Sequence, residues 1–390
     1  MVALERLDSD GVWELFYRTD KLGVLTVSLN ADPSGDPNLQ AAAIDLKNRF
    51  RELQRRIAAE SEHSDKTVAA LERLWPRVAE LADPAAGGRS RILFAGLEDD
   101  WVLQLQSALP IASRVVLDDR PFIHPLLELL DEGRPAGVVL VSAEDAVLLE
   151  WRVGSVQQLS RIEQQYVEAS HERAGHIGGG PQGQFHTPMQ EQRQSREHDR
   201  AQRFLDRVTT VAAGLAAERG WERILVSGGD RWTEPAVTKF PQVLRDRVFA
   251  DTRVLSGLDA AALQAAVTEW AHEQHAERER RLLDGVCDGA GSGHRVALGL
   301  SEVAAALNAG RVAHLIYDPE VRYTGTLGAD GALYAGEEVG PDGHPGTPDS
   351  RLTERLVERA FKTGARISPI QGAADGRLRD AAGVAALLRW

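Results

Sequence analysis

Short apolar runs that alternate with amphipathic helical patterns are the feature that most constrains the fold of this 390-residue chain. Five runs have the length and composition of buried strands: residues 23–29, 92–95, 137–142, 224–227 and 312–317. Helical seams lie between them, and the first is formed by Leu39, Ala43, Leu46, Phe50, Leu53 and Ile57, at alternating spacings of four and three. The pattern predicts an α/β fold.

The same pattern divides the chain into three blocks. A length of 390 residues favours two or three domains. We predict an N-terminal α/β domain over residues 1–133, a middle domain over 134–276 that opens with a β-hairpin, and a C-terminal α/β domain over 277–390. The charged run 277–281 is interpreted as a solvated helix face, and residues 336–350 as a mobile loop.

Composition limits the class of protein. The single cysteine, Cys287, excludes an intramolecular disulfide and a multi-cysteine zinc site. No signal peptide and no apolar run of about 20 residues is visible, so we expect a cytoplasmic protein with no membrane partner. The net charge of −13 argues against general nucleic-acid coating, so any RNA contact must be local.

The stretch GHIGGGPQGQF, residues 175–185, is hard to explain by ordinary packing. It contains five glycines and a proline, and it leads into a long charged segment with a helical pattern. Glycine reaches positive φ without steric cost and leaves room for a close neighbour. The stretch is therefore either a flexible surface loop or a tip that enters a confined space.

Other motifs have simpler explanations. HEQH at residues 272–275 has an i, i+3 spacing rather than the i, i+4 spacing of zinc proteases, and is interpreted as a solvated helix face. GAGSGH at 289–294 is interpreted as a loop, and SGGD at 227–230 as a strand-end turn. Histidines 171, 176, 186 and 198 have no ligand set of recognisable spacing, so we expect no metal and no cofactor.

The middle block resembles a known family. The hairpin AGVVLVSAEDAVLLEWRVG, the glycine-rich stretch with glutamine, the helix QEQRQSREHDRAQRFLDRV and the strand ILVSGGD follow one another in order. Together they resemble the middle domain of the archaeo-eukaryotic class-one release factors and Pelota, over roughly residues 134–320. LGVLTVSLNADP and DAAGVAALLRW are similar to segments of the bacterial members.

This resemblance implies a fold and a site. It implies three α/β domains, the middle one an RNase H-like mixed sheet and the third similar to kink-turn-binding ribosomal proteins. One branch, the Vms-type peptidyl-tRNA hydrolases, carries Gly-Gly-x-Ser-Gln-x-Arg-Phe in the loop. Gly178, Gly179 and Gln182 match it, so Gln182 is the candidate catalytic residue with Gln184 in reserve. Pro181 replaces the serine and Gln184 the arginine, which leaves hydrolysis open.

The resemblance also implies partners. These are the ribosome, through ribosomal RNA and peptidyl-tRNA, and a translation GTPase, with the protein acting as a monomer. The candidate RNA-binding residues are Arg173, His176, His186, Arg193, Arg196 and Arg200. The Asn-Ile-Lys-Ser motif of stop-codon readers is missing from the sequence, so codon reading is not expected.

Three functions therefore remain open. The first is codon-independent hydrolysis of peptidyl-tRNA on stalled ribosomes or large subunits. The second is ribosome hibernation without catalysis, as in factors of the Balon and Pelota type. The third is a three-domain protein unrelated to ribosomes.

Overall fold

The computed structural model describes residues 1–4, 9–32, 38–60, 64–164, 189–291, 295–336, 346–373 and 375–390. In these ranges the chain forms nine α-helices, and seventeen β-strands arranged in four sheets. The predicted mixed α/β fold class is thus confirmed. The chain divides into two compact units: a terminal unit, Met1–Gly133 with His272–Trp390, and a middle unit, Arg134–Ala271.

The first 133 residues form a five-stranded sheet covered by a helical pair. The strands are ordered β1-β4-β3-β2-β5, and the core lies where buried side chains of β2 and β3 meet α2 and α3. Leu46, Phe50 and Leu53 of the predicted seam are buried there. The elements are β1 (Val2–Ala3), α1 (Ser9–Tyr17), β2 (Val24–Asn30), α2 (Leu39–Glu60), α3 (Ser64–Ala79), β3 (Ser90–Gly96), β4 (Val102–Ser107), β5 (Arg114–Asp118) and α4 (His124–Glu132).

The middle unit has one mixed sheet ordered β10-β9-β6-β7-β8. Strand β6 pairs antiparallel with β7, which confirms the predicted hairpin, and parallel with β9. Buried side chains of α5 and α6 pack on this sheet. The elements are β6 (Ala136–Val141), β7 (Asp145–Arg152), β8 (Ser155–Glu163), α5 (Met189–Arg219), β9 (Arg223–Ser227), α6 (Asp230–Lys239), β10 (Val248–Asp251) and the start of α7 (Ala260–Gly291), which from His272 on belongs to the terminal unit.

The remaining residues form a four-stranded sheet, β11-β17-β12-β16, and a small three-stranded one, β14-β13-β15. Helix α7 contributes Val286 to the core over the larger sheet. The elements are β11 (Val296–Leu298), α8 (Gly299–Asn308), β12 (Val312–Tyr317), β13 (Gly325–Leu327), β14 (Leu333–Ala335), β15 (Thr347–Asp349), α9 (Leu352–Lys362), β16 (Arg366–Pro369) and β17 (Val384–Leu388).

Helix α4 joins the two ends of the chain into one unit. It packs against β16, and the buried His124 places its Nδ1 2.6 Å from the Tyr317 hydroxyl. Arg278 donates to the Asp131 carboxylate at 2.6 Å, and Gln371 donates to Glu128 at 3.2 Å. Burial raises the pKa of Glu128, which the charge of Arg114 partly offsets. The first and last parts of the sequence therefore share one set of buried contacts.

Four features differ from the sequence-based expectation. Residues 289–291, in the predicted loop GAGSGH, are the last residues of helix α7. Helix α7 continues through the charged run 277–281, so the predicted boundary at 276/277 falls inside a helix; the three domain ranges remain predictions. Strand β15 lies within the predicted loop 336–350, of which residues 337–345 are outside the described ranges. The HEQH segment is only half solvated, because His275 is buried between Glu279 and Arg278.

Candidate functional site

The glycine-rich stretch joins β8 to α5. Residues 165–188 lie outside the described ranges. The predicted catalytic residues Gly178, Gly179, Gln182 and Gln184 and the predicted RNA-binding residues Arg173, His176 and His186 fall among them. The structure does describe the elements on either side of the stretch: the end of β8, which precedes it, and helix α5, which follows it.

The departure point is held by the turn between β6 and β7. The Gln164 backbone N–H donates to the Glu144 carbonyl at 2.7 Å, and Arg161 pairs with Asp145 at 2.6 Å. The Arg207 side chain of α5 donates to the Glu163 carbonyl. The end of β8 is therefore tied to both the hairpin and the helix.

Helix α5, which follows the glycine-rich stretch, is long, and burial of its side chains differs along its length. Its 31 residues span about 46 Å. Phe204, Leu205, Val208 and Ala212 are buried in the core of the middle unit, whereas residues 194–200 are all exposed. The second half of α5 is thus stabilised by packing, whereas residues 194–200 are exposed to solvent.

The far end of α5 is fixed by polar contacts. Gly220 has φ of +68°, a left-handed conformation that glycine adopts without strain and that ends the helix. The next residue, Trp221, is buried and donates its indole N–H to Glu150 at 3.2 Å, while Arg219 pairs with the same carboxylate at 3.0 Å. Burying Glu150 costs little because two donors satisfy its charge.

One exposed face of α5 carries a row of arginines, which we call the arginine face: Arg196, Arg200, Arg203 and Arg207. Their spacings of four, three and four place all four on one side of the helix. With Gln164, Asp199 and the edge of Phe204 they line an open cleft of about 410 Å³. The cleft therefore lies directly at the departure point of residues 165–188.

The arginine face has few ion pairs among the residues that the structure describes. Within the described residues, no carboxylate forms an ion pair with Arg196, Arg200 or Arg203. Arg196–Arg200 and Arg203–Arg207 are like-charge pairs at i, i+4, each of which costs a helix roughly 0.2–0.5 kcal/mol. The middle unit, with 16 basic and 18 acidic residues, has a net charge of −2 out of −13 for the chain. The negative charge is thus concentrated in the terminal unit.

The structure brings together some of the predicted residues. Arg196 and Arg200 share the arginine face, and Arg193 lies on α5 one turn earlier. Sequence reasoning missed Arg203, Arg207 and Gln164. The signal for the two arginines was present, because residues 193, 196, 200, 203 and 207 alternate in spacings of three and four.

No group of three or more His, Cys, Asp or Glu side chains in the described ranges has the geometry of a metal site. His272 and Glu132 form a pair at 3.0 Å and His275 and Glu279 another at 3.1 Å, both in the terminal unit. Of the helices that the structure describes, none is long and apolar enough to cross a membrane.

Comparison with known proteins finds a match for this part of the chain. Residues 121–276 match the family model "Bacterial archaeo-eukaryotic release factor family 10". The comparison with curated proteins found no match.

Several solved structures match this chain over most or all of its length. Archaeal translation termination factor aRF1 has 16% identity, with 100% of this chain and 99% of that chain covered and a TM-score of 0.26. Archaeal Pelota, from a ribosome-bound model with ABCE1, has 14% identity, coverage of 100% and 95%, and a TM-score of 0.41. S. cerevisiae Dom34 has 10% identity, coverage of 74% of both chains and a TM-score of 0.40.

The family match spans α4 and the whole middle unit, including β8, α5 and the glycine-rich stretch between them. Residues 121–276 are therefore similar to the bacterial archaeo-eukaryotic release factors of family 10.

Proposed function

We propose that this protein occupies the ribosomal A site and hydrolyses peptidyl-tRNA without reading a codon, on stalled ribosomes or free large subunits. The observation that carries the proposal is the release-factor family match over the very unit that bears GHIGGGPQGQF between β8 and α5. The end of β8 is hydrogen-bonded to the turn between β6 and β7, and the second half of α5 is buried in the core of the middle unit, which supports accurate presentation of the stretch.

The chemistry follows from glycine and glutamine. A tip that enters the peptidyl-transferase centre passes through closely packed RNA, where side chains obstruct and glycine does not. Gln182 then orders a water beside the ester, or directs its backbone N–H at the developing oxyanion. Catalysis of this kind depends on positioning and electrostatics and needs no nucleophilic side chain. Gln184 is the alternative for the same role.

A second candidate function is supported by the residues that differ from the Vms-type loop motif. Pro181 and Gln184 stand where those hydrolases have serine and arginine. A protein that kept the shape of the tip and lost hydrolysis would act as a hibernation factor, bound to idle ribosomes. Stable binding to vacant ribosomes with no release of peptide favours this candidate over the first.

Partners follow from the relatives. Dom34 is described as interacting with Hbs1, and archaeal Pelota as bound to the ribosome with ABCE1. By analogy we propose a translation GTPase as the delivery partner of this protein, and a cytoplasmic monomer as the acting species, since one A site admits one molecule.

The test is peptide release from purified ribosome–nascent-chain complexes. We expect the wild-type protein to free the peptide from tRNA, and Gln182→Ala to slow release about 10²–10³-fold, the usual cost of removing one oxyanion or water-positioning group. Gln194→Ala, which alters an exposed glutamine on α5 outside the loop, is the matched control and should keep full activity.

Two results would contradict the proposal. Release that persists in Gln182→Ala, Gln184→Ala and the double variant removes both glutamines from the mechanism. Full activity with an unchanged melting temperature in Gly178→Ala/Gly179→Ala shows that the glycines are only a linker, because added methyl groups should obstruct the approach to RNA.

A further inference from the structure

The terminal unit has a cleft of its own between α2 and α3, which we call the α2–α3 cleft. Its volume is about 320 Å³, at the lower end of the roughly 300–1,000 Å³ of small-molecule sites, so it suits one small ligand rather than a polymer. Four of the lining residues belong to α2 and two to α3: Lys47, Phe50, Arg51, Gln54, Glu72 and Trp75. None of them is part of the site described above.

Trp75 gives the α2–α3 cleft an aromatic surface in a fixed position. Its ring centroid lies 5.0 Å from that of Phe50, at an interplanar angle of 47°, and Phe50 is 2% exposed in the core. Trp75 itself is only partly buried, and it lines the cleft. An indole held by such packing loses little side-chain entropy when a flat ligand stacks on it. The cleft therefore favours a planar, aromatic ligand.

Two cations line the same cleft one turn apart on α2. Lys47 and Arg51 are four residues apart, so their side chains lie on one side of the helix, and both are exposed. The planar guanidinium group of Arg51 donates two parallel hydrogen bonds to a phosphate, and the ammonium group of Lys47 adds a second positive charge. This end of the cleft therefore favours a phosphate group.

The other end of the cleft carries an amide and a carboxylate. Helices α2 and α3 are joined by only three residues and pack side by side, so they run antiparallel. Phe50 meets Trp75 across this pair. Gln54 therefore lies toward Glu72, and Lys47, about 10 Å away along the helix, toward the opposite end. A glutamine side chain forms paired hydrogen bonds with N6 and N7 of adenine, and a carboxylate accepts from an exocyclic amino group.

We propose that the α2–α3 cleft binds a free adenine nucleotide. The adenine ring stacks on Trp75. Its N6 amino group has two hydrogens, one for the Gln54 amide oxygen and one for the Glu72 carboxylate. The phosphate binds Arg51, with Lys47 beside it. This site does not include the glycine-rich stretch, so the inference is independent of peptidyl-tRNA hydrolysis.

Isothermal titration calorimetry of the full-length protein with ADP tests the inference. We expect one site per chain. Arg51→Gln should weaken ADP binding at least about tenfold, because charge-assisted hydrogen bonds to the phosphate are lost. Trp75→Leu should weaken it about fivefold or more through the loss of stacking. Arg56→Gln is the matched control and should leave the affinity unchanged, since Arg56 is exposed on the same helix and does not line the cleft.

Ligand analogues test each end of the cleft separately. Inosine diphosphate, which lacks the amino group, should bind about fivefold more weakly than ADP, because Glu72 and Gln54 then lose a donor. Adenosine, which lacks the phosphate, should bind at least about tenfold more weakly. Pyrophosphate alone should also bind more weakly than ADP, because it cannot stack on Trp75.

Three results overturn the inference. The first is the absence of binding by the wild-type protein at about 1 mM ADP. The second is equal ADP affinity of the wild type and Arg51→Gln; because Arg51 is exposed, this variant decides the question even if Trp75→Leu lowers the melting temperature. The third is binding of pyrophosphate, or of a short adenine oligoribonucleotide, at least as tight as that of ADP, which would assign the cleft to anions in general or to RNA.

Discussion

At the scale of single residues, the most informative side chain for stability is a buried cation. Arg91 on β3 is 2% exposed, and its guanidinium donates to four backbone carbonyls. These belong to Leu81 at 2.5 Å, Asp83 at 2.8 Å, Ala86 at 2.5 Å and Gly87 at 3.1 Å. Burial lowers the pKa of Arg91, but the carbonyl oxygens keep its charge solvated. The Arg91 side chain thus provides hydrogen-bond donors for four backbone carbonyls in the segment between α3 and β3.

We predict that Arg91→Met destabilises the terminal unit by about 3 kcal/mol, because it leaves several carbonyls without a donor. Urea denaturation measures the loss in the free energy of unfolding, and hydrogen exchange of the β3 amides measures it locally. Arg73→Met, at an exposed position on α3, should change stability by less than about 0.5 kcal/mol. Equal effects of the two substitutions would show that the four carbonyl contacts contribute nothing.

At the scale of elements, the position of α5 depends on a glycine in a neighbouring strand. A Cβ built on Gly137 of β6 would lie 2.1 Å from the Trp221 ring, and Trp221 follows directly after the Gly220 cap of α5. Glu150 on β7 accepts from both Trp221 and Arg219. Gly220 ends α5, and the close packing of Trp221 on Gly137 fixes where that end lies against the sheet.

We predict that Gly137→Ala destabilises the middle unit by about 1–3 kcal/mol, the usual cost of overpacking, and shifts tryptophan fluorescence. Gly214→Ala is the matched control: Gly214 lies within α5, and an added Cβ there has no neighbour within 4 Å. It should stabilise the helix by about 0.5–1 kcal/mol. If Gly137→Ala and Gly214→Ala change the stability of the middle unit alike, close packing against Trp221 does not explain the effect.

At the scale of the whole molecule, one structural unit is made of two segments that are far apart in the sequence. The terminal unit is built from residues 1–133 and 272–390, and α4 brings the two segments together. Ion pairs between Arg120 and Glu358 at 3.3 Å and between Arg351 and Asp119 add to this contact. The hydrogen bond that Arg351 donates to the Asp119 carboxylate is the main cause of the raised pKa of Arg351.

We predict that the two segments unfold together. Leu126→Ala in α4, where Leu126 is fully buried, should cost about 2–5 kcal/mol and lower hydrogen-exchange protection in β2 and β12 alike. Leu205→Ala, at a buried position on α5, should lower protection in β9 and leave β12 unchanged. Loss of protection in β12 without loss in β2 would show two independent domains.

Local patterns determined much of the architecture of this protein by themselves. Apolar runs located β2, β3, β6, β9 and β12 to within about two residues, because a buried strand must be apolar whatever its partners. The seam of α2, the cap at Gly220 and the stop at Gly310 depend on neighbouring residues alone. The order of hairpin, glycine-rich stretch, helix and strand was enough to indicate the release-factor relationship, later supported by the family match.

Other features were decided only by the tertiary structure. Val211 of α5 is 36% exposed although its side chain is apolar, and β8 is a polar edge strand that apolar patterning does not detect. Sequence could not show that Arg91 and His275 are buried, because a polar side chain enters the core only where distant partners satisfy it. The arginine face likewise follows a helical period along the sequence, but its position beside Gln164 depends on how β8 packs against α5.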